Sequence, residues 1–110
     1  MEYNGWTNYA TWAVKLWIDN EEGSYHAVRE TAREVWEVAA DNDPDGTPHS
    51  LQRKERAARD LARELEGIVR DLFDLPEESL AGDLIGAALS DVNWDEIAES
   101  IVEDIAEESE

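Results

Sequence analysis

The chain has 110 residues, 42% of them hydrophobic, with 28 Asp and Glu against 9 Lys and Arg, a formal charge of −19. That is enough apolar side chain for one folded unit with a modest core, and too much for a wholly disordered acidic polymer. The absence of cysteine excludes disulfides, cysteine-based zinc sites and cysteine nucleophiles, and favours a cytoplasmic chain.

Taken in chain order, residues 1–8 read as an aromatic arm in which Gly5 breaks regularity and Asn4 fixes a turn. Asn8 or Thr7 can cap a first helix over residues 9–20, where Tyr9, Trp12, Ala13, Leu16 and Trp17 recur at three- and four-residue spacing as one apolar stripe, which Val14 and Ile18 widen so that the helix can be covered on more than one side. Gly23 is placed to end this helix in a left-handed conformation, and Ser24 to cap a second helix over residues 25–40 with Tyr25, Val28, Ala32, Val35, Trp36 and Ala39 as its apolar positions. Residues 41–46 cluster Asn, Asp, Pro and Gly, the composition of a linker.

Thr47 and Pro48 open the third and longest helix, running to about residue 73. Leu51, Ala58, Leu61, Ala62, Leu65, Ile68, Val69 and Leu72 lie along its apolar side, and Arg53, Arg56, Arg59, Arg63 and Arg70 mostly on its flank and outer surface. Leu75–Pro76 marks a break. A fourth helix starts at about residue 76 or 79 and reaches residue 89, with Leu80, Leu84, Ala88 and Leu89 as its buried face and Ile85 alongside. Gly82 and Gly86 put small surfaces on one side, where another backbone can come close. Asn93 caps a fifth helix, with Asp95 and Glu96 in its first turn and Trp94, Ile97, Ala98, Ile101, Val102 and Ile105 as its stripe.

The expected architecture is therefore all-α: about five short helices in one compact bundle, residues 1–106 as a single domain, and residues 107–110 as a frayed acidic tail. Trp36, Leu61, Leu65, Ile68, Leu84, Trp94, Ile97 and Ile101 are the expected core. No membrane-spanning or targeting segment is expected, because no apolar run approaches the ~18 residues a spanning helix needs.

Residues 71–110 carry 14 acidic and no basic side chain, and residues 1–70 hold the other 14 acids and all 9 bases. Such a C-terminal region repels phosphate backbones and anionic lipid, so direct nucleic-acid binding is not expected. Lysine is scarce, only Lys15 and Lys54, a balance resembling that of proteins from salt-in halophilic archaea. At 1 M salt the screening length falls to about 3 Å, which relieves self-repulsion at this charge.

No arrangement of side chains announces catalysis, metal or cofactor binding. His26 and His49 belong to no paired ligand motif, and Asp43-x-Asp45-Gly46 lacks the spacing of a calcium loop. Carboxylate pairs such as Glu30 with Glu34 and Glu99 with Glu103 share solvent-facing helix surfaces rather than a cleft. A small hydrolase is accordingly the weakest reading.

The densest local signature is Tyr3-Asn4-Gly5-Trp6-Thr7-Asn8-Tyr9-Ala10-Thr11-Trp12, followed by Leu16-Trp17-Ile18-Asp19-Asn20. Over about the first 25 residues the chain resembles a small uncharacterised family found in haloarchaea, their viruses and bacteriophages. That resemblance implies a viral or mobile-element setting and no activity. Tyr3, Asn4, Trp6, Asn8, Tyr9, Trp12 and Trp17 are the candidate interaction residues. Either the arm folds back and its indoles complete the core, or the aromatics stay exposed and bind a protein partner, a second copy included. The competing functional reading is a nucleic-acid mimic whose acidic surface occupies the basic site of a DNA-binding or defence protein.

Overall fold

Each apolar-periodic segment forms an α-helix in the computed structural model, which describes residues 2–41 and 51–108: α1 Tyr9–Asn20, α2 Glu22–Asp41, α3 Leu51–Leu72, α4 Leu80–Ser90 and α5 Trp94–Glu108. Among the described residues there is no strand, only an isolated antiparallel bridge between Tyr3 and Trp6. The chain is an all-α bundle. The expected linker beyond Asp41, the Thr47–Pro48 helix start and His49 lie outside the described residues.

The centre of the bundle is α3, which packs along both α2 and α5; those two also meet, and α1 rests on α2 and α5. Helical spacing accounts for what is buried: Val28, Ala32, Val35, Trp36 and Ala39 from α2, Ala57, Leu61 and Leu65 from α3, and Ile97, Ile101 and Ile105 from α5. Of the expected core, Trp36, Leu61, Leu65, Ile97 and Ile101 are buried, while Ile68 and Trp94 pack half-buried against its edge.

Leu84 is not in the core. It is 63% exposed, Leu80 is 76% exposed, and Ala88 is exposed too. Leu89 is buried as expected, Ile85 is partly so, and Gly82 is buried in place of the other leucines. A Cβ at Gly82 would sit 2.2 Å from the Glu77 carbonyl oxygen, so the helix approaches the preceding segment on that side through bare backbone. Apolar residues surround α4 on every side, and periodicity could not choose among them; the contact at Gly82 does.

The start of α2 and the end of α5 differ from expectation, whereas α3 ends close to the expected place. α2 starts at Glu22, so Gly23 lies inside it and Ser24 is not its cap. The buried Ser24 hydroxyl instead donates to the carbonyls of Ile18, at 2.9 Å, and Glu21, at 3.0 Å, closing the end of α1. α3 ends in a Schellman pattern, with Leu75 N–H bonded to Arg70 O and Asp74 N–H to Asp71 O, and Asp74 held at φ 49°. α5 continues through Glu107 to Glu108, whose carboxylate receives Arg29 at 3.2 Å and Arg33 at 3.3 Å; these two residues are helix, not frayed tail.

Arg53, expected on the flank of α3, is 6% exposed. Its guanidinium lies 3.8 Å from the Trp36 ring centroid, and its Nε and Nη2 donate to the Trp36 carbonyl at 3.0 and 2.8 Å. A planar cation can enter a small core when a ring face and a carbonyl replace its water.

Candidate functional site

The N-terminal signature folds as two devices, one polar and one aromatic. Asn4 and Gly5 take φ of 48° and 89°, and Tyr3 and Trp6 exchange both backbone hydrogen bonds, at 2.7 and 2.8 Å. This is a tight turn with two left-handed central residues, the conformation for which Asn-Gly is suited. The turn lays Trp6 against the core and carries the Tyr3 ring over α1.

The polar device joins the two ends of the chain. Asn8 caps α1, its Oδ1 accepting from the N–H of Thr11 at 2.9 Å and from the Thr11 hydroxyl at 2.7 Å, while its Nδ2 donates to Asp91 O at 2.7 Å. Asn93 caps α5 by accepting from Glu96 N–H at 3.0 Å, its own N–H donates to the Thr11 hydroxyl at 2.9 Å, and Glu96 in turn accepts from Thr7 N–H at 2.9 Å. The caps of α1 and α5 therefore interlock through a Thr11 side chain that is wholly buried. Between Thr7 and Asn8, the structure makes Asn8 the cap.

This lock sets the rotation of α1. Thr11 and, two turns on, Ile18 point inward, with Ala10 and Val14 packed beside them. Of the two readings left open for the aromatics, the structure shows the exposed one for the stripe of Tyr9, Trp12, Ala13, Leu16 and Trp17, which faces away from the core: Tyr9 and Trp17 are each 59% exposed, Leu16 is 37% exposed, and Trp12 and Ala13 are half-buried. A threonine cannot leave the Asn93 N–H without a partner at little cost, and a helix that turns Thr11 in must turn Tyr9 and Ala13 out.

Of the seven candidate residues, the structure gathers three into one ring cluster. Tyr3 stands edge-on to Tyr9 at 5.1 Å and lies 4.9 Å from Trp12, and Tyr9 is 5.5 Å from Trp12. Trp17 lies two turns along α1 from Tyr9, on the same exposed stripe. Trp6 and Asn8 are half-buried and used internally, and Asn4 belongs to the turn. The signal for the turn was the Asn4-Gly5 pair between aromatics; the signal for the lock was the three-residue spacing of Asn8 and Thr11.

The electrostatics of this face are unlike those of the rest of the chain. The charged residues of α1 are Lys15 and Asp19, and they are bonded to each other. By contrast, α5 carries seven acids and no base. Its outer end is compensated from α2: burial disfavours the Glu108 charge, but the hydrogen bond from Arg29 and the charges of Arg33 and Arg29 outweigh it and hold the carboxyl below its ordinary value. For Arg29, burial likewise opposes the charge, and Glu108, Tyr25 and Asp104 together raise the pKa above its usual value.

Elsewhere, a groove between α3 and α5 is lined by Leu51, Lys54, Glu55, Arg59, Asp95, Glu99 and Glu103, and the 3.2 Å Lys54–Glu103 ion pair lies within it. His26 is exposed beside Glu22. Among the described residues no group of three His, Asp or Glu is placed to hold a metal ion, and no helix is long and apolar enough to cross a membrane.

Comparison with known proteins places the whole chain, residues 1–110, in one family: it belongs to a family of unknown function, DUF7249. No curated protein and no solved structure matches it.

Proposed function

We propose that this member of DUF7249 is a non-enzymatic binding protein that recognises another protein through the exposed aromatic face of α1. The observation that carries the reading is the orientation of that helix: in a chain with a formal charge of −19, an aromatic stripe, with Tyr9 and Trp17 each 59% exposed, is turned to solvent. Exposed large apolar side chains grouped on one face mark interaction sites, and Tyr and Trp dominate the energetic centres of such sites. The stripe carries no uncompensated charge, so its recognition is apolar and survives concentrated salt.

The acidic surface serves as a solvating coat in this account, suited to a salt-rich cell and a viral or mobile-element setting. Paired capture from a salt-adapted lysate at about 2 M KCl, with the wild type and with Tyr9→Ser/Trp17→Ser as bait, tests it. A partner held by the wild type and lost by the double variant supports the face. Equal retention by both baits assigns binding to another surface, and a basic DNA-binding partner released as salt rises would replace this reading with nucleic-acid mimicry.

A further inference from the structure

Among the described residues, exposed large apolar side chains fall into one group on α1 and another on α4, with Val38, Leu51 and Leu72 standing elsewhere, and charge separates the two groups. Leu80 and Leu84 on α4 stand among the exposed carboxylates of Glu77, Glu78, Asp83 and Asp91. The α1 stripe has Lys15 and Asp19 bonded to each other and no other charge along the helix. A partner bearing excess positive charge would be drawn to residues 71–110, where 14 acids stand without a base. A partner bearing the same excess negative charge can come close only where the surface is neutral.

We infer that the occupant of the α1 face is a second copy of this chain, paired antiparallel about a two-fold axis near Ala13 so that Tyr9 of each copy packs against Trp17 of the other. The inference rests on the aromatic-face reading above and commits it to one partner. The spacing suits the pairing: Ala13 lies one turn after Tyr9 and one turn before Trp17, so an axis through it exchanges the two aromatic positions, and its small side chain lets the helices approach at their crossing. The area suits it too. With about 200 Å² per aromatic side chain, the exposed parts of Tyr3, Tyr9 and Trp17, with Leu16, offer about 400 Å² per copy. A pair would bury about 800 Å², below the ~1,200 Å² of stable specific interfaces and in the range of weak transient ones, so the dimer forms with concentration rather than permanently.

Purified chain is tested by light scattering and sedimentation over a concentration series up to about 0.5 mM, in about 2 M KCl to screen repulsion. The inference expects a mass rising from 12.4 kDa towards twice that value, and a dissociation constant at least about 30-fold weaker in Trp17→Glu, with circular dichroism unchanged because the substituted side chain is exposed. The sequence has no cysteine, so Ala13→Cys supplies a single thiol, which should oxidise to a disulfide-linked dimer because pairing brings two Cα atoms within about 7 Å; Val38→Cys, exposed on α2, should not. A monomer throughout the series overturns the second copy, as does a dimer that Leu84→Glu dissolves and Trp17→Glu leaves intact. The aromatic-face reading is judged separately by the lysate capture: a monomeric chain that still loses its captured protein on Tyr9→Ser/Trp17→Ser keeps the face and changes the occupant.

Discussion

α5 and α1 use their apolar residues in opposite ways. α5 carries seven acids in fifteen residues, yet buries Ile97, Ala98, Ile101, Val102, Ile105 and Ala106 completely enough to form one wall of the core. α1 carries one acid and one base, and exposes Tyr9, Leu16 and Trp17. Hydrophobicity alone would rank α1 as the more deeply buried helix. The difference lies in what fixes each rotation: in α5 the apolar stripe itself does so against α3, whereas in α1 the Asn8–Thr11–Asn93 hydrogen bonds hold a threonine inward and leave the aromatics outside.

The largest effect that sharpens this contrast is expected at Ile101. Ile101→Ala should lower the unfolding free energy by about 2–5 kcal/mol, measured by urea titration in concentrated KCl, because the site is buried and cannot collapse around the void. Thr11→Val keeps the shape and removes the hydroxyl, leaving the Asn93 N–H without its acceptor; a loss of about 1–3 kcal/mol is expected. A loss below about 0.3 kcal/mol would mean that packing, not the lock, sets the rotation of α1.

Smaller effects are expected at the surface. Glu108→Gln should cost less than about 1 kcal/mol at low salt and less in molar KCl, since the pair with Arg29 and Arg33 is partly exposed and screened. Its pH dependence has a definite sign: the native carboxyl titrates below its ordinary value of 4.5, so its contribution is fully present above that value and is lost as pH falls through the lowered one. The wild-type chain should therefore lose more stability on acidification than the variant does. The smallest change is expected for Trp17→Ser, within about 0.5 kcal/mol, as for an exposed side chain outside the core.

The five helices were legible because their stripes recur at helical spacing, and the cap Asn93, with Asn8 as one of two candidates, because each precedes a free helix N-terminus. What spacing leaves open is which way a helix turns when more than one side is apolar. α1 and α4 both illustrate this, since the deciding groups, Thr11 and Gly82, carry no hydrophobic signal at all. Arg53 was misplaced for the converse reason: a charged residue reads as surface until a ring and a carbonyl are known to receive it. The candidate site was named by composition, but that its aromatics lie outside is a consequence of hydrogen bonds between residues more than 80 positions apart.

That separation has a bearing on how the protein is made. Asn8, Thr7 and Thr11 reach across to Asp91, Asn93 and Glu96, so α1 lying on α2 alone lacks the hydrogen bonds that fix its rotation until the start of α5 is also in place. Closure of the bundle onto α5 is therefore the step that presents the tyrosine and tryptophans of α1 in a fixed array.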